Sequence, residues 1–235
     1  MTPFQTFWKN FIQKQYEYWF QGKTFPKVNN LEDYYNNKYP KIDMVYNGRV
    51  DKNNKPLRVD VRNFFTPYDS ELKKIVNKLD LEKSDNDHKA LKCLIWVIDN
   101  INYLSDKRNY CLVEYWEYPY EVINYELSDC EGMSILLANL MLISGIPYWQ
   151  IRITTGLVDY LGKEESHCFV TYFSEKENKW ILLDASYNPT KIPISQRKEY
   201  KDETHYKKTY WSFNQKYCFA KDIRDIPKME NVEKN

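Results

Sequence analysis

The feature that most constrains this chain is an apolar run that begins just after a cysteine. Following Cys130, the residues Met133, Ile135, Leu136, Leu137, Ala138, Leu140, Met141, Leu142 and Ile143 leave no polar stripe, so a helix made from them has no face suited to water. It is also too short for a membrane span of roughly 20 residues. Gly145 and Pro147 stop it. Such a helix must lie at the centre of a core and be covered on all sides.

The residues that could cover it come next in the chain. Trp149–Thr155, His167–Phe173 and Trp180–Asp184 read as strands, and the polar turn Ser174–Lys179 joins the last two as an antiparallel hairpin. A central helix packed on an antiparallel sheet is an α+β architecture. Upstream, Ser70 is the expected cap of a helix carrying Leu72, Ile75, Val76 and Leu79, and Asp87 the cap of another carrying Ala90, Leu91, Leu94, Ile95, Val97 and Ile98. Arg49-Val50 and the alternating Leu57, Val59, Val61 flank a turn and predict a hairpin. Residues 23–47 read as an irregular stretch, 188–206 as a loop, and 210–220 as an aromatic segment that packs back. The expected organisation is an N-terminal extension over 1–65, a catalytic domain over 66–220 and a tail over 221–235.

Composition removes several function classes. With 235 residues, 43% hydrophobic, the chain is long enough for one substantial core. Its 34 Lys+Arg against 33 Asp+Glu give a formal net charge of +1, so no global field draws nucleic acid. The first residues lack a basic and then apolar leader and no apolar run spans a bilayer, so the expectation is a cytoplasmic protein, or a virion-associated one if phage-encoded. Five cysteines without a Cys-x-x-Cys pair predict reduced thiols. A metal site from Cys130, His167, Cys168 and Asp184, or with Cys218, lacks the usual ligand spacing, and no acidic loop has calcium spacing, so neither metal nor cofactor is expected. Phe4, Phe7, Trp8, Phe11, Ile12, Tyr16 and Trp19 recur on one helical face. That helix is a candidate surface for a protein partner, although packing on its own domain is the commoner fate.

The chemistry converges on three residues. Cys130 opens the apolar helix, where free backbone N–H groups favour a thiolate and can donate to an oxyanion. Gly132, in the first turn, is read as leaving room for substrate. His167 and Cys168 point to opposite faces of their strand, and His167 is read as the one that faces the helix, with Asp184 on the next strand to orient its ring. The expected roles are nucleophile for Cys130, base and then acid for His167, and orienter for Asp184. Trp116 or Asn124 is a candidate second oxyanion donor, Trp116 through its indole N–H. His88 and His205 receive no role.

These residues resemble the transglutaminase-like superfamily of papain-fold cysteine enzymes, with likeness to its phage and bacterial members. The likeness rests on Ser128-Asp129-Cys130-Glu131-Gly132, the helix ending in Ser144-Gly145-Ile146-Pro147, His167 with its aromatic strand, and Lys179-Trp180-Ile181-Leu182-Leu183-Asp184. Ser128 stands where members often have Gly, and Gly132 where the phage-like subset is commonly acidic. The resemblance implies acyl transfer at a peptide or glutamine side-chain amide by a Cys-His-Asp triad, on a protein or peptide substrate, with hydrolysis expected ahead of crosslinking. The competing expectation is a catalytically silent structural or adaptor protein on the same fold.

Overall fold

The computed structural model describes residues 30–37 and 41–226. The amphipathic helix expected over residues 4–19 and the last part of the tail lie outside them.

The apolar run forms helix α6 (Cys130–Ile143), and the residues from Ile135 through Met141 are buried all round. Three helices surround it, α2 (Ser70–Lys78), α3 (Asn86–Asn100) and α5 (Pro119–Tyr125), each packed against it, with the short α4 (Asp106–Asn109) between α3 and α5 in the chain. Two N-caps fall one and two residues earlier than the sequence suggested. Asp69, not Ser70, accepts from Glu71 N and Leu72 N at the start of α2, and Asp85, not Asp87, accepts from His88 N at the start of α3. Asp87 instead accepts from Tyr172 Oη (2.8 Å) and Ser174 Oγ (2.9 Å), tying α3 to the sheet. A carboxylate competes well for a cap, and whichever of two neighbours meets a strand hydroxyl is drawn away from it.

The main sheet contains β1 (Lys41–Ile42), β6 (Ile151–Tyr160), β7 (Lys163–Ser174), β8 (Lys179–Leu183), β9 (Tyr206–Phe213) and β10 (Cys218–Phe219). Its order is β1-β10-β9-β6-β7-β8, antiparallel throughout. The β7–β8 hairpin is as expected. Less expected is the length of β6 and β7, which pair from Ile151↔Tyr172 to Tyr160↔Lys163 and so place His167 inside a strand rather than at its head. The expected Arg49 hairpin is present as β2 (Val45–Val50) and β3 (Pro56–Asp60), while 31–37 forms a short helix, α1 (Leu31–Asn37), within the stretch read as irregular.

Both faces of the sheet are covered. On one, α6 packs over Ile151, Ile153, Cys168, Val170 and Tyr172; on the other lies an aromatic cluster that includes Tyr35 of α1, Phe169, Phe173, Trp180, Tyr200 and Tyr206. The N-terminal extension is thus built into the core: β1 extends the sheet beside β10, and Asn139 of α6 holds Phe64 O and Thr66 N through its amide. Strand β9 slips by one residue against β6 twice, between Thr155 and Gly156 and again between Leu157 and Val158. Gly156 permits the first slip, since a Cβ there would lie 2.2 Å from the carbonyl oxygen of Lys208.

Candidate active site

The nucleophile candidate enters on a tight path. β4 (Asn102–Tyr103) and β5 (Leu127–Ser128) form a short parallel pair that delivers the chain to Asp129, which caps α6 by accepting from Glu131 N. Cys130 is therefore the first helical residue, as the sequence suggested. It is 7% exposed. Its thiol donates to Glu131 Oε2 at 3.0 Å rather than to an imidazole. Burial pushes the thiol well above its ordinary value, and the carboxylates of Glu131 and Asp129 push the same way, against the helix N-terminus.

His167 and Asp184 are joined as expected. His167 Nε2 lies 2.6 Å from Asp184 Oδ2, both buried. Asp184, one residue past β8, is held from every side: Oδ1 accepts from Ser186 N, Ser186 Oγ and Tyr187 N, and Oδ2 also from Tyr206 Oη at 2.7 Å. Burial alone would raise this carboxyl. The His167 charge and the hydrogen bonds outweigh it and bring the value down to about 2. An ionised Asp184 fixes the ring so that Nε2 carries the proton and Nδ1 the lone pair.

Three sequence readings need correction. His167 does not share the helix-facing side of β7: its ring stacks on Phe169, meets Tyr187 edge-on and lies tilted against Tyr206, within the aromatic cluster. Cys168 takes the other face, in the core with Cys130 and against Ser134 of α6. Alternation was sound, but a sheet covered on both faces buries both residues, so burial does not say which one meets the helix. Trp116 donates its indole N–H to Glu114 Oε1 at 2.7 Å and stacks on Trp211 and Phe213, which makes it a packing residue. Gly132 makes room not for substrate but for protein. A Cβ there would lie 2.0 Å from Ser128 Oγ and 2.5 Å from Glu117 Oε2, two atoms that are themselves hydrogen-bonded at 3.0 Å.

That contact opens onto a feature the sequence reading missed. Carboxylate oxygens of Asp106, Glu117 and Asp129 lie within 4.8 Å of one another, and ligand atoms of Asp129, Cys130 and Glu131 form an adjoining group. Glu117 is fully buried, and Glu117 Oε1 and Asp106 Oδ1 have no hydrogen-bond partner. Burial and mutual repulsion raise Asp106 and Glu117 to about 8 and raise Glu114, Asp129 and Glu131 as well. The signal was present in Glu114-Tyr115-Trp116-Glu117-Tyr118, where acids alternate with rings that need burial. The acids are scattered over a loop, a strand end and a helix start, so no calcium-loop spacing reveals them. All five cysteines are free thiols, and Cys111 is the exposed one.

Residues 73–185 match the family model described as the transglutaminase-like superfamily, a span that contains Cys130, His167 and Asp184. This segment belongs to the transglutaminase-like superfamily. Among solved structures, this chain is similar to Legionella pneumophila LapG at 21% identity and a TM-score of 0.50, covering 68% of this chain and 84% of that one. A calcium-bound form of LapG aligns at 19% identity with the same TM-score of 0.50, over 69% of this chain and 90% of that one. At these identities the likeness is one of fold. A search of curated proteins gave no match.

Proposed function

We propose that this protein is a cysteine enzyme catalysing acyl transfer at a peptide or glutamine side-chain amide, with hydrolysis as its reaction. The observation that carries the reading is the buried His167–Asp184 pair in a chain whose buried central helix begins at a cysteine. The resting thiol is on Glu131 and His167 is on the face away from α6, so the reaction requires the two to be brought together, whereupon Cys130 Sγ gives its proton to His167 Nδ1 and attacks the amide carbon. The oxyanion takes hydrogen bonds from N–H groups of the first turn of α6, that of Cys130 among them. The imidazolium returns its proton to the departing nitrogen, and the same ring nitrogen then activates the water that hydrolyses the thioester. Hydrogen bonds of this kind are often unmade without substrate, which accords with a resting thiol turned to Glu131.

The acidic cluster opposes a thiolate as long as its charge stays uncompensated. A calcium-bound form of LapG is known, and Asp106, Glu117, Asp129 and Glu131 fit an ion of that class: they offer hard oxygen donors, two of them with a free buried oxygen. The bound cation would supply positive charge that offsets Asp129 and Glu131 beside Cys130. We include this dependence on a divalent cation in the proposed function.

The test is alkylation of Cys130 by iodoacetamide, followed by intact mass, in Cys111→Ser protein so that the exposed thiol does not mask it. Labelling at neutral pH should be faster in calcium than in EGTA and should fall in His167→Ala, with release of amine or ammonia from peptides lost in Cys130→Ala. Equal labelling in the two buffers removes the cation. No turnover in either buffer, with a stoichiometric partner captured by both wild type and Cys130→Ala, favours a silent adaptor, the reading to which the buried, acid-bound thiol lends support.

A further inference from the structure

On the sheet face opposite α6, one guanidinium is buried without a counter-charge among the described residues. Arg152 of β6 has 0% exposure. Its Nη2 donates to the carbonyl oxygen of Tyr35 at 2.5 Å, while Nε and Nη1 have no hydrogen-bond partner. The flat face is well packed, with the Phe219 ring centroid 3.8 Å away and that of Trp180 at 5.3 Å. Burial lowers this arginine only to about 9, so it is charged at neutral pH, and among the described residues the phenol of Tyr35 is the ionisable group acting on it.

Two further orphans lie on the same face. Ser212 of β9 pairs with Thr154, which shares the face of Arg152, and its register partner on the other side is Phe219, the ring that Arg152 covers. Ser212 Oγ has no partner. Asn36 follows Tyr35 in α1 and receives a hydrogen bond from Asn214, two residues along β9 from Ser212, yet its own Nδ2 donates to nothing. Each of these unsatisfied groups can donate, and among the described residues no unsatisfied carboxylate lies beside them. A water molecule satisfies donors but brings no charge, and cation–π contacts compensate a buried cation only in part. What the set lacks is a negative charge that accepts several hydrogen bonds.

We propose that a small monovalent anion of halide size binds between α1 and the main sheet, held by Arg152 with Ser212 Oγ and Asn36 Nδ2. The site is independent of the Cys130 chemistry and lies on the other side of the sheet. Its consequence is structural: the anion completes the seat on which α1 docks.

The experiment uses the full chain crystallised with sodium bromide in place of chloride. The expected result is an anomalous bromine peak within hydrogen-bond reach of Arg152 Nε or Nη1 and of Ser212 Oγ or Asn36 Nδ2. Water, a carboxylate of the chain itself, or bromide only at the surface would overturn the proposal. In solution, the melting temperature of wild type should rise when sodium gluconate is replaced by sodium chloride at equal ionic strength, as binding to the folded state requires. Arg152→Met, which fills the space without charge, should lose that dependence. A chloride effect of equal size in both proteins, or in neither, counts against the site, and the bromide result on wild type stands even if Arg152→Met fails to fold.

Discussion

Asp184 receives hydrogen bonds on both oxygens, and the donor with the least local origin is Tyr206, which reaches it from β9. Asp184 is depressed to about 2, so it contributes stability that is fully present above the ordinary carboxylate range and is lost as pH falls through that value. Removing the Tyr206 hydroxyl takes away one of the bonds that hold the ionised form. Tyr206→Phe should therefore move the acid unfolding midpoint to higher pH, and should reduce kcat/KM on a peptide amide roughly tenfold if the hydroxyl steadies the carboxylate behind His167. An unchanged acid limb would show that Tyr206 only fills space. At this scale Cys130, His167 and Asp184 were legible because each stands at a position with its own local meaning: a helix start, a strand, a strand end. Tyr206 carried no such mark. Its role depends on a contact between β9 and the residue after β8, which periodicity does not encode.

Helix α6 was the element most fully legible, since an unbroken apolar run has one stable environment. What the run did not disclose is how its first turn is packed. Gly132 faces Ser128 and Glu117 so closely that any side chain must displace a buried hydrogen-bonded pair. Gly132→Ala should cost about 1–3 kcal/mol by overpacking, read as a lower melting temperature, and adding Ser128→Ala should recover only part of it because Glu117 remains. Full recovery would locate the strain at Ser128 alone. The same contact gives the Ser at 128 a physical reason: its hydroxyl is a partner for Glu117. The orientation of β7 was the element-scale failure. A period of two was read correctly, but the assignment of faces needed the aromatic layer contributed by Tyr35, Tyr200 and Tyr206, which comes from both ends of the chain.

For the molecule as a whole, the buried acids make stability depend on pH in the direction opposite to Asp184. Asp106 and Glu117 are raised to about 8, so in a cation-free buffer their contribution is complete below the ordinary carboxylate range and is lost as pH rises through that value. In EGTA the melting temperature should fall by several degrees between about pH 6 and pH 8.5, given that about 1 kcal/mol shifts a chain of this size by roughly 2–4 °C. Glu117→Gln should flatten the slope, and calcium should restore more at pH 8.5 than at pH 6. A flat profile in EGTA would mean that these acids are solvated. The α+β architecture was readable from the helix and strand patterns. The seating of residues 31–65 was not, because α1 and β1 are too short to carry a periodic signal and take their places from the sheet they join. The two slips between β6 and β9 matter beyond their local geometry. In a regular ladder Lys208 would stand opposite Val158; the slips put Tyr206 there instead. Anyone grafting Cys130, His167 and Asp184 onto an ideal barrel would carry over the three proposed site residues and lose the phenol, because what positions it is a count of residues along an edge of the blueprint rather than any residue in the motif.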